Sequence, residues 1–175
     1  STYFLHNDTD IIRQRVLELT VWPTKDKIPS TVQNAILFNR TLNSSCYWSD
    51  INYADKSIVV WSTATHMYRI TTMLQALTVN GSTVKNDSTL MTNVHCALHV
   101  WFMNDWQNPN WWFNQINIPL EATSQLLMLG NDATSIEVEK IKEISYRAAW
   151  WLHRSQDVGA NLVWMIQCQL YRSLA

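Results

Sequence analysis

The stretch Asn110-Trp111-Trp112-Phe113-Asn114-Gln115-Ile116-Asn117-Ile118-Pro119 decides how this chain is read. An Asn108-Pro109-Asn110 turn precedes it, so the two indoles stand near a helix start. Neighbouring residues on a helix point roughly 100° apart, and one apolar face does not easily bury both. Side by side they make a broad, rigid aromatic wall. Such a wall suits flat ring-shaped ligands, sugar rings among them. It is equally the kind of packing cluster expected in a Trp-rich chain, and the pair alone leaves both readings open.

Outward from that stretch, composition narrows the class. A chain of 175 residues is one domain's worth and can bury a real core. Three glycines and four prolines are few, which favours long helices over a turn-rich sandwich. The formal net charge of −1 provides no basic field, so nucleic acid is not an expected partner. No apolar run reaches transmembrane length, and membrane insertion is not expected. The chain opens at Ser1 without a signal-peptide pattern and reads as a mature or excised segment. Five sequons, at Asn7, Asn39, Asn43, Asn80 and Asn86, suggest a glycosylated, secreted eukaryotic protein. Cys46, Cys96 and Cys168 fit that compartment. Their pairing is not assignable, and the odd thiol is either buried or paired outside the segment.

Apolar residues recur at three and four, and no strand alternation persists. Helices are expected over 10–20, from a Ser30-Thr31-Val32-Gln33 capping box to 42, and over 57–79 and 87–104. Others are expected from Pro119 to a Gly130 stop, from a Thr134-x-x-Glu137 capping box to 153, and from Gly159 onward. Residues 43–56 read as a loop. Short connections between the helices predict antiparallel hairpins.

Most candidate chemistry has a structural reading. His95 and His99 have the four-residue spacing of paired zinc ligands, but Cys96 stands where a zincin has Glu and no third ligand is near. Interhelical packing is the expectation there, and no metal or cofactor is expected. His66 and His153 read as satisfied structural residues. Glu137, Glu139 and Glu143, alternating with Lys140 and Lys142, read as a solvated helix face. Glu121 reads as a first-turn carboxylate favoured by the helix dipole. Val158-Gly159-Ala160-Asn161 puts an amide at a helix start, where backbone N–H groups favour an anion; an ordinary cap is the alternative.

Asn110-Trp111-Trp112, then Ile116-x-Ile118-Pro119, then Gly159-Ala160-Asn161, together resemble the amino-terminal α/α-toroid domain of polysaccharide lyase family 8, the hyaluronate, chondroitin AC and xanthan lyases. Trp48-Ser49-Asp50, His66-x-x-Arg69-x-x-x-Met73 and Leu170-Tyr171-Arg172 fit the same order. The resemblance implies an all-α fold of antiparallel helical hairpins, an incomplete (α/α) toroid, with 1–175 as a single domain. It implies that Asn110, Trp111 and Trp112 bind a uronic-acid polysaccharide of glycosaminoglycan type. It also implies that Asn161 is catalytic, neutralising the uronate during β-elimination. The family's His, Tyr and Arg set lies downstream, whereas this chain stops fourteen residues after Asn161 and is expected to be inactive alone. Gln115, Asn117, Leu120, Val158 and Leu162 depart from the family pattern, removing two arginines and a carboxylate. A non-catalytic glycan-binding or structural subunit is therefore the alternative. Either way, a partner chain or oligomer is expected to complete the toroid.

Overall fold

Two helix starts are written plainly in the chain. Asp87 Oδ1 accepts the Leu90 N–H at 2.9 Å and opens a helix over Ser88–Asn104. Thr134 and Glu137 form the expected reciprocal capping box ahead of Ser135–Ser145. The computed structural model describes residues 3–152 and 154–175, with side chains from Asp8 onward. The Asn7 side chain and His153 lie outside the described residues. In chain order the helices are α1 (Tyr3–Val16), α2 (Ile28–Thr41), α3 (Thr65–Thr78), α4 (Ser88–Asn104), α5 (Ile118–Leu129), α6 (Ser135–Ser145) and α7 (Gly159–Leu174). No strand occurs among the described residues, and the fold is the all-α, incomplete toroid of helical hairpins.

The centre is built by α3 and α5. Met67, Ile70, Met73, Leu74 and Leu77 of α3 are buried, as is every residue of α5 from Ala122 to Leu129. A helix enclosed on all sides must satisfy its polar side chains internally, and Thr123, Ser124 and Gln125 donate to Pro119 O, Glu121 O and Met67 O. α2 and α4 pack on α3, and α6 and α7 pack on α5.

Four expectations need correction. The Ser30 capping box does not form: α2 starts earlier, with Pro29 in its first turn, and Ser30 Oγ donates to Lys27 O instead. The helix expected from 57 starts only at Thr65, after a 3₁₀ turn at Ser62–Ala64. Asp55 collects the Ser57 and Ser62 N–H groups, while Asn108 and Asn110 amides claim the Ser57 and Ile58 carbonyls. Those polar groups compete successfully with a helix. Helix α6 ends at Ser145, not near 153, because two further turns follow. Glu137 is not solvated. It is 4% exposed and bonded to His95 Nδ1 at 2.6 Å.

That bond also gives His95 its structural role, as the sequence reading expected of its helix face. No group of three metal-ligating side chains occurs among the described residues. His66 is fully buried, ringed by Trp48, Tyr53, Trp101 and Trp106. Its Nε2–H donates to Ala97 O at 2.9 Å, which leaves Nδ1 to accept from the Tyr53 hydroxyl at 2.9 Å. Tyr53 in turn accepts the Trp48 N–H. Cys46 and Cys96 form a disulfide that ties the 43–56 loop to α4. Cys168 is free and buried, its thiol pushed up to about 11 by burial, and is inert as a nucleophile.

Gly130 ends α5 at φ +52, and a Cβ there would stand 2.6 Å from Arg13 Nη2. Arg13 is held by Leu127 O, so the clash also disturbs a bond between α1 and α5. Gly130→Ala is expected to lower stability by about 1–3 kcal/mol, read as a shifted urea midpoint. An unchanged midpoint would mean the turn relaxes freely.

Candidate functional site

The tryptophan pair sits on a helix with a defect. Asn108 Oδ1 accepts the Asn110 N–H at 2.8 Å, and Asn110 Oδ1 accepts the Trp112 N–H at 3.0 Å. These side-chain turns start the helix at Trp111. Two residues later the ladder slips: Phe113–Asn117 is a π-helical turn, closed by Ile118 N–H to Phe113 O. Pro119 explains the slip. It has no N–H to donate, and its ring would crowd the carbonyl of Gln115. The π turn therefore leads directly into α5, which holds Pro119 in its first turn as expected.

Both indoles are half-buried. Trp111 packs on a second apolar cluster of Ile116, Ala148, Met165 and Cys168. Trp112 touches that cluster and the main core, with its ring 6.0 Å from Trp164 of α7, edge to face. Trp164 stands three residues after Asn161, one turn along the same helix face. This contact joins the helix of the tryptophan pair to the helix that carries Asn161.

Asn161 is half-buried in the first turn of α7, and its Nδ2 donates to Gln156 O at 3.1 Å. An amide nitrogen has two hydrogens, so one remains for another acceptor. Asn161 does not cap its helix. The cap position is Val158, with no side-chain acceptor, and the chain turns into α7 through Gly159 at φ +57. Among the described residues, the cap position gives the first-turn N–H groups of α7 no side-chain acceptor. Asn110 is more committed: its Nδ2 donates to Ile58 O at 2.8 Å, and its Oδ1 starts the helix.

The positions that depart from the family pattern lie in different surroundings: Gln115 and Asn117 are polar and half-buried, with Asn117 Oδ1 accepting the Tyr68 hydroxyl at 3.0 Å, and Val158 is exposed. Leu120 is half-buried against both clusters, and Ile118 is 1% exposed. Glu121 sits in the first turn of α5, as expected. It accepts from Thr71 Oγ1, and burial raises its pKa.

Sequence reasoning missed Trp164, and it missed a second adjacent pair. Trp150 and Trp151 are 38% and 42% exposed, ring to ring at 6.2 Å, just after the buried Ala148 that supports the first pair. The repeated Trp-Trp was available as a signal. Of the sequon residues, Asn39 lies within α2 and accepts from Asn93, whereas Asn43, Asn80 and Asn86 are exposed in turns.

Comparisons with known proteins agree with the helical fold. The family model for the polysaccharide lyase family 8 N-terminal alpha-helical domain matches residues 19–175. The chondroitinase-AC of Pedobacter heparinus is 28% identical over 89 residues, which is 51% of this chain and 13% of that protein. Among solved structures, a chondroitinase AC lyase superposes with a TM-score of 0.80 at 22% identity, over 95% of this chain and 24% of the other. The Streptomyces coelicolor A3 chondroitin AC lyase gives 0.78 at 18% identity, over 96% and 25%. A Paenibacillus xanthan lyase gives 0.73 at 17% identity, over 96% and 17%. This chain thus spans a quarter or less of the length of these relatives. With a family match over most of its length and the same helical fold, the chain belongs to polysaccharide lyase family 8, as its N-terminal α-helical domain.

Proposed function

We propose that this domain is the polysaccharide-holding part of an extracellular lyase-like protein and takes a uronic-acid polymer of glycosaminoglycan type along Trp111 and Trp112. The observation that carries the reading is the Trp112–Trp164 contact, which joins the aromatic pair to the helix that carries Asn161. The relatives' names speak of chondroitin and xanthan lyases, and the Cys46–Cys96 disulfide suits an oxidising compartment. No helix among the described residues is long and apolar enough to cross a membrane.

In a complete relative, elimination would remove the proton next to the uronate carboxylate and break the C4–O glycosidic bond. The spare Asn161 N–H and the uncapped start of α7 would offset the carboxylate charge and so stabilise the developing carbanion. Proton transfer would need a His and a Tyr from outside this segment. The exposed tryptophans Trp150 and Trp151, with Val163, Ile166 and Leu170 on α7, favour a further helical layer or partner chain completing the toroid.

A second reading has its own observation. Asn110 has both side-chain polar atoms engaged, and Leu120 lies in apolar contact where the family carries charge. A glycan-binding or structural subunit without lyase activity fits those features.

Replacing Trp111 and Trp112 together by Ala is expected to weaken glycosaminoglycan binding on the order of tenfold or more, with the helical circular dichroism retained. Collapse of the spectrum would instead make the pair a packing cluster. The isolated native chain is expected to generate no unsaturated-uronate absorbance from hyaluronan or chondroitin. Its appearance would overturn the assignment of proton transfer to residues outside the chain.

A further inference from the structure

A groove of about 420 Å³ lies where α2 begins and α3 ends, well away in sequence from the tryptophan pair. That volume is typical of a small-ligand site, roughly 300–1,000 Å³. Its apolar walls are Trp22, Pro23, Ile28, Pro29 and Val79, and Asn80 joins them. Trp22 Nε1 donates to Thr78 Oγ1 at 2.9 Å, which fixes the plane of the indole. Asn80 stands in a turn closed by Ser82 N–H to Val79 O, with Gly81 at φ +90. Its Oδ1 accepts from Lys85 Nζ, and its Nδ2 has no hydrogen bond to the other described residues. Asn80-Gly81-Ser82 is a sequon, and no other described sequon asparagine borders this groove.

We infer that the groove is a shelf for the chain's own glycan: once Asn80 is glycosylated, the first N-acetylglucosamine lies over Trp22. The inference rests on the extracellular placement proposed above. Transfer from a lipid-pyrophosphate-linked oligosaccharide joins Asn80 Nδ2 to the anomeric carbon. The carbon's bond to the pyrophosphate oxygen breaks, the lipid pyrophosphate leaves, and the amide gives up one proton. The apolar C–H face of the sugar then meets the indole, while Glu18 and Lys25 at the groove offer partners to its hydroxyls. Covalent attachment supplies a high local concentration, so a weak stacking contact is enough to fill the groove.

The test uses the chain secreted from a eukaryotic host, with all glycans trimmed enzymatically to one N-acetylglucosamine. Mass spectrometry is expected to find Asn80 occupied. The trimmed protein is expected to melt about 2–4 °C above a trimmed Asn80→Gln variant. Trp22→Ala should erase that difference. Because Trp22→Ala also loses the bond to Thr78 and could fail to fold, a second measurement is made on the native sequence. Nuclear Overhauser contacts are expected between the sugar's N-acetyl methyl and the Trp22 ring. Occupancy at other sequons but not at Asn80 overturns the shelf alone, as does an occupied Asn80 with neither a melting shift nor a ring contact. Absence of glycan from every sequon overturns the shelf and the extracellular reading together.

Discussion

A chain carrying Cys46→Ala and Cys96→Ala is expected to be about 4 kcal/mol less stable than the native protein, and to melt roughly 10 °C lower. The estimate comes from loop length. The cross-link spans 50 residues, and closing a loop of that size removes substantial entropy from the unfolded chain. The loss should also be local. Cys46 anchors a loop with little regular structure that nevertheless inserts Trp48, fully buried, beside His66. The same loop brings Asp50 to the Arg69 guanidinium, which lowers the Asp50 pKa. Without the link, this segment should open before the α3–α5 core does. Urea denaturation followed by tryptophan fluorescence and by circular dichroism measures both effects. Equal midpoints for native and variant chains would show that packing alone holds the loop.

Acid is expected to weaken the fold through His66. Burial among four aromatic rings lowers its pKa from 6.5 to about 4, with the Ala97 carbonyl acting the other way and the Arg69 charge adding to the fall. In the unfolded chain the imidazole takes its proton near 6.5, so between those values the unfolded state binds more protons. Stability therefore rises with pH in this window and is lost as pH falls from 6.5 through 4, by about 3 kcal/mol in total. Glu121 opposes this trend. Its pKa is raised by burial, so it contributes most when protonated and loses that contribution as pH rises. The informative quantity is thus the difference between native and His66→Gln chains. The variant should be less stable at neutral pH, having lost the Tyr53–His66–Ala97 bonds, and should lose up to one proton's worth of slope between pH 4 and 6.5. Parallel curves for the two proteins would exclude His66 as the titrating group.

Local signals carried far along this chain. Asp87, Thr134 with Glu137, and Gly130 mark helix ends by chemistry contained within a few residues, and each stands where its side chain or backbone freedom requires. The family motifs carried the fold further than periodicity could. What failed was non-local. Ile58-Val59-Val60 looked like the start of a helix, but Asp55 and the asparagines at 108 and 110 hold that backbone open from both sides. Glu137 sits in a run of alternating charge, yet its burial depends on His95, forty-two residues earlier. The candidate site shows the same division. Asn110, Trp111, Trp112 and Asn161 could be named from sequence. Trp164 could not, because its importance comes from the indole it touches across two helices.

The π-helical turn at Phe113–Asn117 has a consequence for how such a domain can change. One extra residue in a helical turn rotates everything before it by roughly 100° relative to everything after. The indoles at 111 and 112 and the enclosed face of α5 are consequently phased independently, although one continuous helix carries both. Selection can re-aim the wall by altering the length of this turn, leaving the packing from Ala122 to Leu129 untouched. The half-buried indoles and the enclosed core helix are thus aimed by two separate stretches of the same rod.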